Sequence, residues 1–309
     1  MPKRKLVSFD WAMKKLLRSK ANFEILEGFL SELLKETIYI LEILESEGNK
    51  EDTRDKFNRV DLKVKTKTDE VIIIEVQYER QFDFLQRILF STSKTITEHL
   101  QESSPYSNVV KVISVNILYF DLGQGDDYVY HGTTSFKGLH KQDLLELSTD
   151  QQELYKKNKV HHIFPEYYLI KVNNFNDVAK DSLDEWIYFL KNEEIKENFK
   201  AQGLIKAKQE LDILKLPEQE RLAYERYQND LHYQASMVES SYVIGIHKGI
   251  KKGRKKGRVE GKIAGKLEGK KEIATNLLEG GLLDIRTIAK MTGLSLEEVE
   301  NLKPKKPSE

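Results

Sequence analysis

The chain contains no cysteine among its 309 residues, which excludes disulfides, thiolate zinc sites and thiol nucleophiles together. Histidine is sparse. There are seven, and His161-His162, the adjacent pair, reads as flanking a strand rather than binding a metal. No apolar run approaches the roughly 18 residues needed to cross a bilayer. Charge of one sign is also missing: 50 basic residues balance 50 acidic ones, so only the distribution of charge can speak about nucleic acid. The opening Met-Pro-Lys-Arg-Lys runs directly into an amphipathic pattern without an apolar leader. The expectation is a soluble, cytoplasmic protein with no membrane partner, long enough for one large domain or two ordinary ones.

What is present is a pair of acids in an unusual place. Arg59-Val-Asp61-Leu-Lys63-Val-Lys65 is followed by a polar turn and then by Val71-Ile-Ile-Ile-Glu75-Val-Gln77. Side chains alternate along a strand, so Asp61, Lys63 and Lys65 are expected on one face, and Val71, Ile73, Glu75 and Gln77 on one face of the next strand. A turn centred near Thr68 sets Asp61 opposite Glu75. Facing carboxylates repel unless a cation lies between them, and a hard ion such as Mg²⁺ takes such oxygen ligands while keeping several waters. The run Val71–Ile74, apolar on both faces, suggests a covered central strand, where a terminal charge needs a reason. The plainer alternative is that both acids pair with Lys63 or Arg59 on a solvated hairpin.

The acid, hairpin and Glu-x-Gln pattern resembles the PD-(D/E)XK nucleases, with Gln77 where that group usually has Lys. The surrounding text narrows the resemblance: Phe9-Asp10-Trp11-Ala-Met-Lys14, Lys56-Phe-Asn58-Arg59-Val-Asp61, Ile74-Glu75-Val-Gln77 and Val112-Ile-Ser-Val-Asn116-Ile-Leu-Tyr-Phe120 together look like the Rpn family of recombination-promoting nucleases, also described as transposases. The resemblance spans residues 5–195, with the basic tail a looser match. It implies an α/β fold: a restriction-endonuclease-like core with a mixed sheet flanked by helices in the order αβββαβ, followed here by a helical, basic, Gly-rich extension. It implies Mg²⁺ or Mn²⁺ held by Asp61, Glu75 and the main-chain carbonyl of Val76. It also places Asp10 at the Asp of the family's opening motif, as an earlier acid completing the site; Glu24 and Glu27, three residues apart on one helix face, are its rivals. Gln77 can orient water but brings no charge, so Lys63, or Lys65, is expected to supply it. Arg87 and Lys94, on the helix after the hairpin, are candidates for phosphate contact, with Gln81 a weaker one.

Periodicity places helices over 9–20 and 22–36, with Ser8 and Asn22 as N-caps. Strands are expected over 38–44, 109–120, 128–134 and 167–172, the hairpin over 58–78, and further helices over 82–102 and 183–190. Four parts follow: a nuclease-like domain over 1–195, a helical extension over 196–244, a basic repeat over 245–271 and a small helical hairpin over 272–309. In the repeat, Gly245, Gly249, Gly253, Gly257, Gly261, Gly265 and Gly269 recur every fourth residue, among Lys251, Lys252, Arg254, Lys255, Lys256 and Arg258. Each Gly costs a helix about 1 kcal/mol relative to Ala, so a free helix here is expected to be marginal. Three readings stay open: a basic flexible segment contacting phosphates, a helix–helix contact through small residues, or a solvated linker. In the last part, Ser295 and Glu298 have capping-box spacing, and Ile-Ala-x-x-Thr-Gly-Leu-Ser resembles a helix-turn-helix turn.

The function expected is a metal-dependent DNA endonuclease associated with recombination or mobile elements. The alternative is a nuclease core that has decayed into a nucleic-acid-binding or self-associating, homo-oligomeric protein. The three widely spaced acids of a ribonuclease H-like transposase are not seen.

Overall fold

The apolar run that opens with Val71 forms the centre of a sheet. In the computed structural model, which describes residues 6–44, 61–100 and 103–303, the sheet-bearing unit contains helices α1 (Phe9–Lys15) and α2 (Phe23–Leu34). Strands β1 (Ile40–Leu44), β2 (Leu62–Thr66) and β3 (Val71–Gln77) follow, then helix α3 (Phe84–His99) and strands β4 (Val112–Leu118) and β5 (Val129–Gly132). Helix α4 (Thr149–Tyr155), strand β6 (Glu166–Lys171) and helices α5 (Ser182–Asn192) and α6 (Leu204–Glu210) complete it, together with the start of α7 (Glu218–Glu279). The Lys56-Phe-Asn58-Arg59 lead-in to Asp61, the stretch 46–56 and the opening Met-Pro-Lys-Arg-Lys lie outside the described residues.

The sheet order is β1-β2-β3-β4-β6-β5. β1, β2 and β3 run antiparallel, β4 and β6 join parallel to β3, and β5 closes antiparallel on β6. β4 is buried along its whole length and β3 along all but Gln77, as strands apolar on both faces require. This is the mixed α/β sandwich expected from the sequence.

One face of the sheet, carrying Leu62, Val64, Ile72, Ile74, Ile113, Val115 and Ile117, packs into the main core with α1, α2 and α5. Phe9 sits edge-on to Phe29, Trp186 and Phe189 there. The other face lies under α3, with Phe84 and Ile88 against Leu118 and Phe120 at one end, and Ile96 against Val71, Ile73 and Val112 at the other.

The hairpin pairs Leu62 with Ile74 and Lys65 with Val71. Its turn is closed by Thr66 and Glu70, with Asp69 at φ 66. That register, continued by one residue, sets Asp61 opposite Glu75, as a turn centred near Thr68 requires.

Several local expectations need correction. α1 stops at Lys15 rather than 20, and the Asn22 side chain donates to the carbonyl of Leu16 instead of capping α2. Ser8 stands at the N-cap of α1 without a capping side-chain bond; its main-chain N–H donates to the Tyr224 hydroxyl. Helix α4, with a Ser148–Gln151 capping box, carries no strong apolar period and was not anticipated. The sheet-bearing unit runs on to Asp230 rather than ending at 195, because Leu204, Ala207, Leu211 and Tyr224 are buried in its core. Gly28 allows the close approach that this needs: a Cβ there would collide with the main chain of Gln202 and Gly203.

The second unit begins at Leu231. α7 continues through the glycine ladder as helix to Glu279, against the expectation of a marginal segment. The residues between the glycines are mostly good helix formers, Lys, Arg, Glu, Leu and Ala, so propagation outlasts each local penalty once the helix is nucleated elsewhere. Along the ladder the side chains are exposed, and apart from the adjoining residues and backbone of the helix itself, no described atom lies within 4 Å of where a Cβ would stand on any of the seven glycines. Helices α8 (Ile285–Thr292) and α9 (Leu296–Glu300) enclose a small core of Ala274, Ile288, Ala289, Leu294 and Val299. The Ser295–Glu298 capping box forms as its spacing predicts.

Candidate active site

Glu75 lies near the end of β3 on the face covered by α3, and 3% of it is exposed. The Arg87 guanidinium of α3 bonds directly to its carboxylate. Burial pushes the Glu75 carboxyl up to about 7; the charge of Asp61 pushes the same way, and Arg87 opposes both. Arg87 also donates to Gln77 Oε1 (3.3 Å) and Gln81 Oε1 (2.8 Å), while Gln77 Nε2 donates to the Glu79 carbonyl (3.2 Å). Gln77 is thereby fixed beside Glu75 with its amide near the surface.

Asp61 stands one residue before β2, at a bend, so strand alternation does not tie it to the face of Lys63. Its Oδ2 accepts the Val76 N–H at 2.7 Å, and Arg18 Nη2 donates to its main-chain carbonyl at 3.1 Å. Its Oδ1 lies 3.5 Å from the Lys14 ammonium, which meets Asp10 Oδ1 at 2.7 Å. The other Asp10 oxygen accepts from the Tyr227 hydroxyl of α7. Burial raises the Asp61 carboxyl above its ordinary range, and Asp10 adds to this against Lys14 and the Val76 N–H. Burial works against the charge on Lys14, yet Asp61 and Asp10 outweigh it and hold the ammonium above its ordinary value. Burial and Asp10 likewise raise the Tyr227 phenol.

Three carboxylates, Asp10, Asp61 and Glu75, thus meet in a chain of influence at the end of β3, Asp10 on Asp61 and Asp61 on Glu75, with Lys14 and Arg87 as their side-chain cations among the described residues. The solvated-hairpin alternative fails on burial: Glu75 is sealed beneath α3 and Asp61 is largely enclosed.

The structure brings some expected residues together and separates others. Of the three candidates for the earlier acid, Asp10 joins the pair. Glu27 accepts the Ile40 N–H at 2.8 Å and so holds the edge strand, and Glu24 is exposed. Lys63, expected to supply the missing charge, is 5% exposed and bonded to Glu98 of α3 at 2.8 Å. Lys65 pairs with Asp69 in the turn. Neither is paired with Asp61 or Glu75, because strand alternation carries both beneath α3 towards the turn. Lys94 faces Glu98 at 3.8 Å on its own helix. Lys251, Lys252, Arg254, Lys255, Lys256 and Arg258 are exposed on α7, and Lys256 lies 3.7 Å from Glu260.

Sequence reasoning missed two members of the site. Lys14 carries a faint signal, the i,i+4 spacing from Asp10 that puts both on one helix face. Tyr227, 217 residues from its partner Asp10, carries none. A third feature is Asn116, the register partner of Glu75 on β4. Its Nδ2 donates to Ser114 O, Ser114 Oγ and Tyr168 O at 3.3, 3.0 and 3.2 Å. The two main-chain acceptors fix the amide, since the flipped orientation would set oxygen against oxygen. Oδ1 is left buried and without a partner, as is Thr92 Oγ1 on α3.

Among the described residues, no group of three or more His, Asp or Glu side chains forms a ready-made metal cage. The donors at the end of β3 nevertheless suit a hard dication. They are oxygens, two of them belong to the buried Glu75 and half-buried Asp61 carboxylates, whose charges oppose each other's ionisation, and an ion such as Mg²⁺ keeps much of its own water. A cavity lined by Lys111, Phe136, Tyr155 and Phe164 contains none of these residues. Among the described residues, no helix is long and apolar enough to cross a membrane.

A family model described as PD-(D/E)XK nuclease family transposase matches residues 7–241. That span takes in the sheet and every residue of the site and stops before the glycine ladder. No curated protein and no solved structure matches the chain.

Proposed function

We propose that this chain, which belongs to the PD-(D/E)XK nuclease family transposases, is a metal-dependent endonuclease that hydrolyses DNA phosphodiester bonds. The observation that carries the reading is the opposition of the half-buried Asp61 and the buried Glu75, two carboxylates raised above their ordinary values where the hairpin opens at the end of β3. Such an arrangement stores unfavourable charge that a divalent ion relieves. Asp61, Glu75 and the Val76 carbonyl would hold Mg²⁺ or Mn²⁺, which would acidify a bound water and polarise a phosphoryl oxygen.

The protein's own groups do the remaining work. Gln77, anchored through Arg87 and Glu79, presents an amide that both donates to and accepts from the attacking water. Arg87, bonded to Glu75, Gln77 and Gln81, holds the acid and the amide in position. Asp10 positions Lys14. In the reaction a water oxygen bonds to phosphorus as the bond to the leaving sugar oxygen breaks. The water gives up one proton and the leaving oxygen gains one. Lys63, held by Glu98, keeps α3 on the sheet. The basic residues Lys251 to Arg258 would contact the DNA backbone electrostatically, without reading sequence. A link to recombination or mobile elements follows from breaking DNA and needs no separate transposase centre.

Plasmid cleavage by the purified chain in Mg²⁺, Mn²⁺ or EDTA, with Asp61→Ala alongside, tests the reading. Metal-dependent nicking that is lost in the variant is the expected result. DNA binding without cleavage, unchanged in Asp61→Ala, would instead make the protein a nucleic-acid binder on a decayed nuclease core.

A further inference from the structure

The nuclease reading leaves a gap at Gln77. Hydrolysing a phosphodiester builds negative charge on the phosphate, and a fixed cation aimed there is among the strongest sources of rate. Gln77, two residues beyond Glu75, is neutral. Of the cations near the pair among the described residues, Lys63 is sealed against Glu98, Lys65 is held at the turn by Asp69, and Arg87 is engaged by Glu75, Gln77 and Gln81. Arg18 is committed to the main chain of Asp61.

Lys14 differs from all of these. Its ammonium bridges Asp10 and Asp61, its side chain remains 41% exposed, and the Tyr227 ring lies 5.8 Å away. An ammonium has three N–H groups; two face the carboxylates, and one is left for the solvent side. The charge is therefore held in position by two acids and still open to a ligand.

We propose that Lys14 of α1 is the catalytic cation of this site, supplying from another element the positive charge that Gln77 lacks. It is set by Asp10 and Tyr227 on one side and Asp61 on the other, and its free N–H meets a non-bridging oxygen of the scissile phosphate. No proton transfer is assigned to it. This rests on the nuclease reading and adds a residue that the acid–hairpin–Gln pattern does not contain.

The test uses the full chain and four proteins: wild type, Lys14→Gln, Gln77→Lys and the double variant Lys14→Gln/Gln77→Lys. Cleavage of plasmid DNA in Mn²⁺ is measured beside Mn²⁺ affinity in the absence of DNA. Lys14→Gln should cleave at least about 100-fold more slowly, the scale of losing one preorganised donor. Its Mn²⁺ affinity should hold or tighten, because a competing cation has left Asp61. The double variant should regain at least about tenfold of the lost rate, since its new lysine returns the charge to the site. A structural role for Lys14 would instead lower cleavage and Mn²⁺ affinity together and would not be rescued at residue 77, and that result would overturn the proposal. Lys14→Met, which keeps the aliphatic stem, is run in parallel, and whichever variant retains the wild-type circular dichroism spectrum decides; loss of fold in both also counts against the proposal. A wild type that never cleaves sinks the nuclease reading and this one with it. A wild type that cleaves beside an equally active Lys14→Gln sinks this one alone.

Discussion

The two faces of the central sheet come from the same strands, yet they are chemically unlike. The face towards α1, α2 and α5 is apolar across its middle, Leu62 to Ile117, closed by Phe9, Phe29 and Trp186. The face under α3 is apolar only at its ends. Between them run Lys63, Glu75, Ser114 and Asn116 from the strands and Thr92 and Thr95 from α3, all buried. The first face accounts for the fold, and the second keeps polar groups at a cost that a core built only for stability would not carry. Orphaned oxygens on Asn116 and Thr92 show that the cost is not fully offset within the described chain. The candidate site lies where this polar seam reaches the end of β3, and there the proposed chemistry draws Glu75 and Gln77 from the interrupted face and Asp10 and Lys14 from α1.

The contrast can be broken in four ways. Asp61→Ala should bring metal-dependent plasmid cleavage down by at least about 100-fold, the scale of losing one charge-stabilising group, while circular dichroism stays that of the wild type; cleavage that survives would detach chemistry from the end of β3. Ile74→Ala, on the apolar face, should do the reverse. It should cost roughly 3 kcal/mol in urea unfolding, as buried large-to-small changes do, and leave cleavage per folded molecule unchanged.

The third concerns pH. The Glu75 carboxyl moves from 4.5 to about 7 on folding, so between those values the folded chain holds a proton that the unfolded chain has released. That contribution to stability is present below 4.5 and is lost as pH rises through about 7. Metal-free protein should therefore melt at lower temperature as pH climbs through that window, and Glu75→Gln should flatten the fall; Asp61, raised in the same direction, would leave a remnant. An unchanged slope in the variant would mean that Glu75 does not titrate in a buried pocket.

The smallest effect is expected from Thr92→Val. Replacing an unpartnered buried hydroxyl by a methyl of the same shape should stabilise the chain by about 1 kcal/mol, read from the urea midpoint. A loss of stability would reveal a buried water bonded between α3 and the sheet.

Particular residues show how far reading alone reaches. The hairpin register was legible because strand period and turn position fix it, and the facing of Asp61 and Glu75 follows from both. β3 and β4 were legible from apolar runs on both faces. The helical state of the glycine ladder was not: local propensity argues against it at every fourth residue, and nucleation elsewhere on α7 decides the outcome. Lys63 was assigned to the site by strand alternation alone, which says nothing of an acid on another element; Glu98, 35 residues away, claims its ammonium. Lys14 was in view as part of a motif, without a role.

What the sequence determined by itself is therefore local and periodic: the strands, the hairpin register, the Ser295–Glu298 cap, and the two acids that must face each other. These depend on interactions within a few residues or on a repeat that a short window reveals. The partners of those acids were decided only by the tertiary structure. Lys14 and Tyr227 reach Asp10 from one helical turn and from 217 residues away, and Arg87 reaches Glu75 from the next helix. A charge pairs with whatever folding brings near, and that distance in space is not written in the order of the residues.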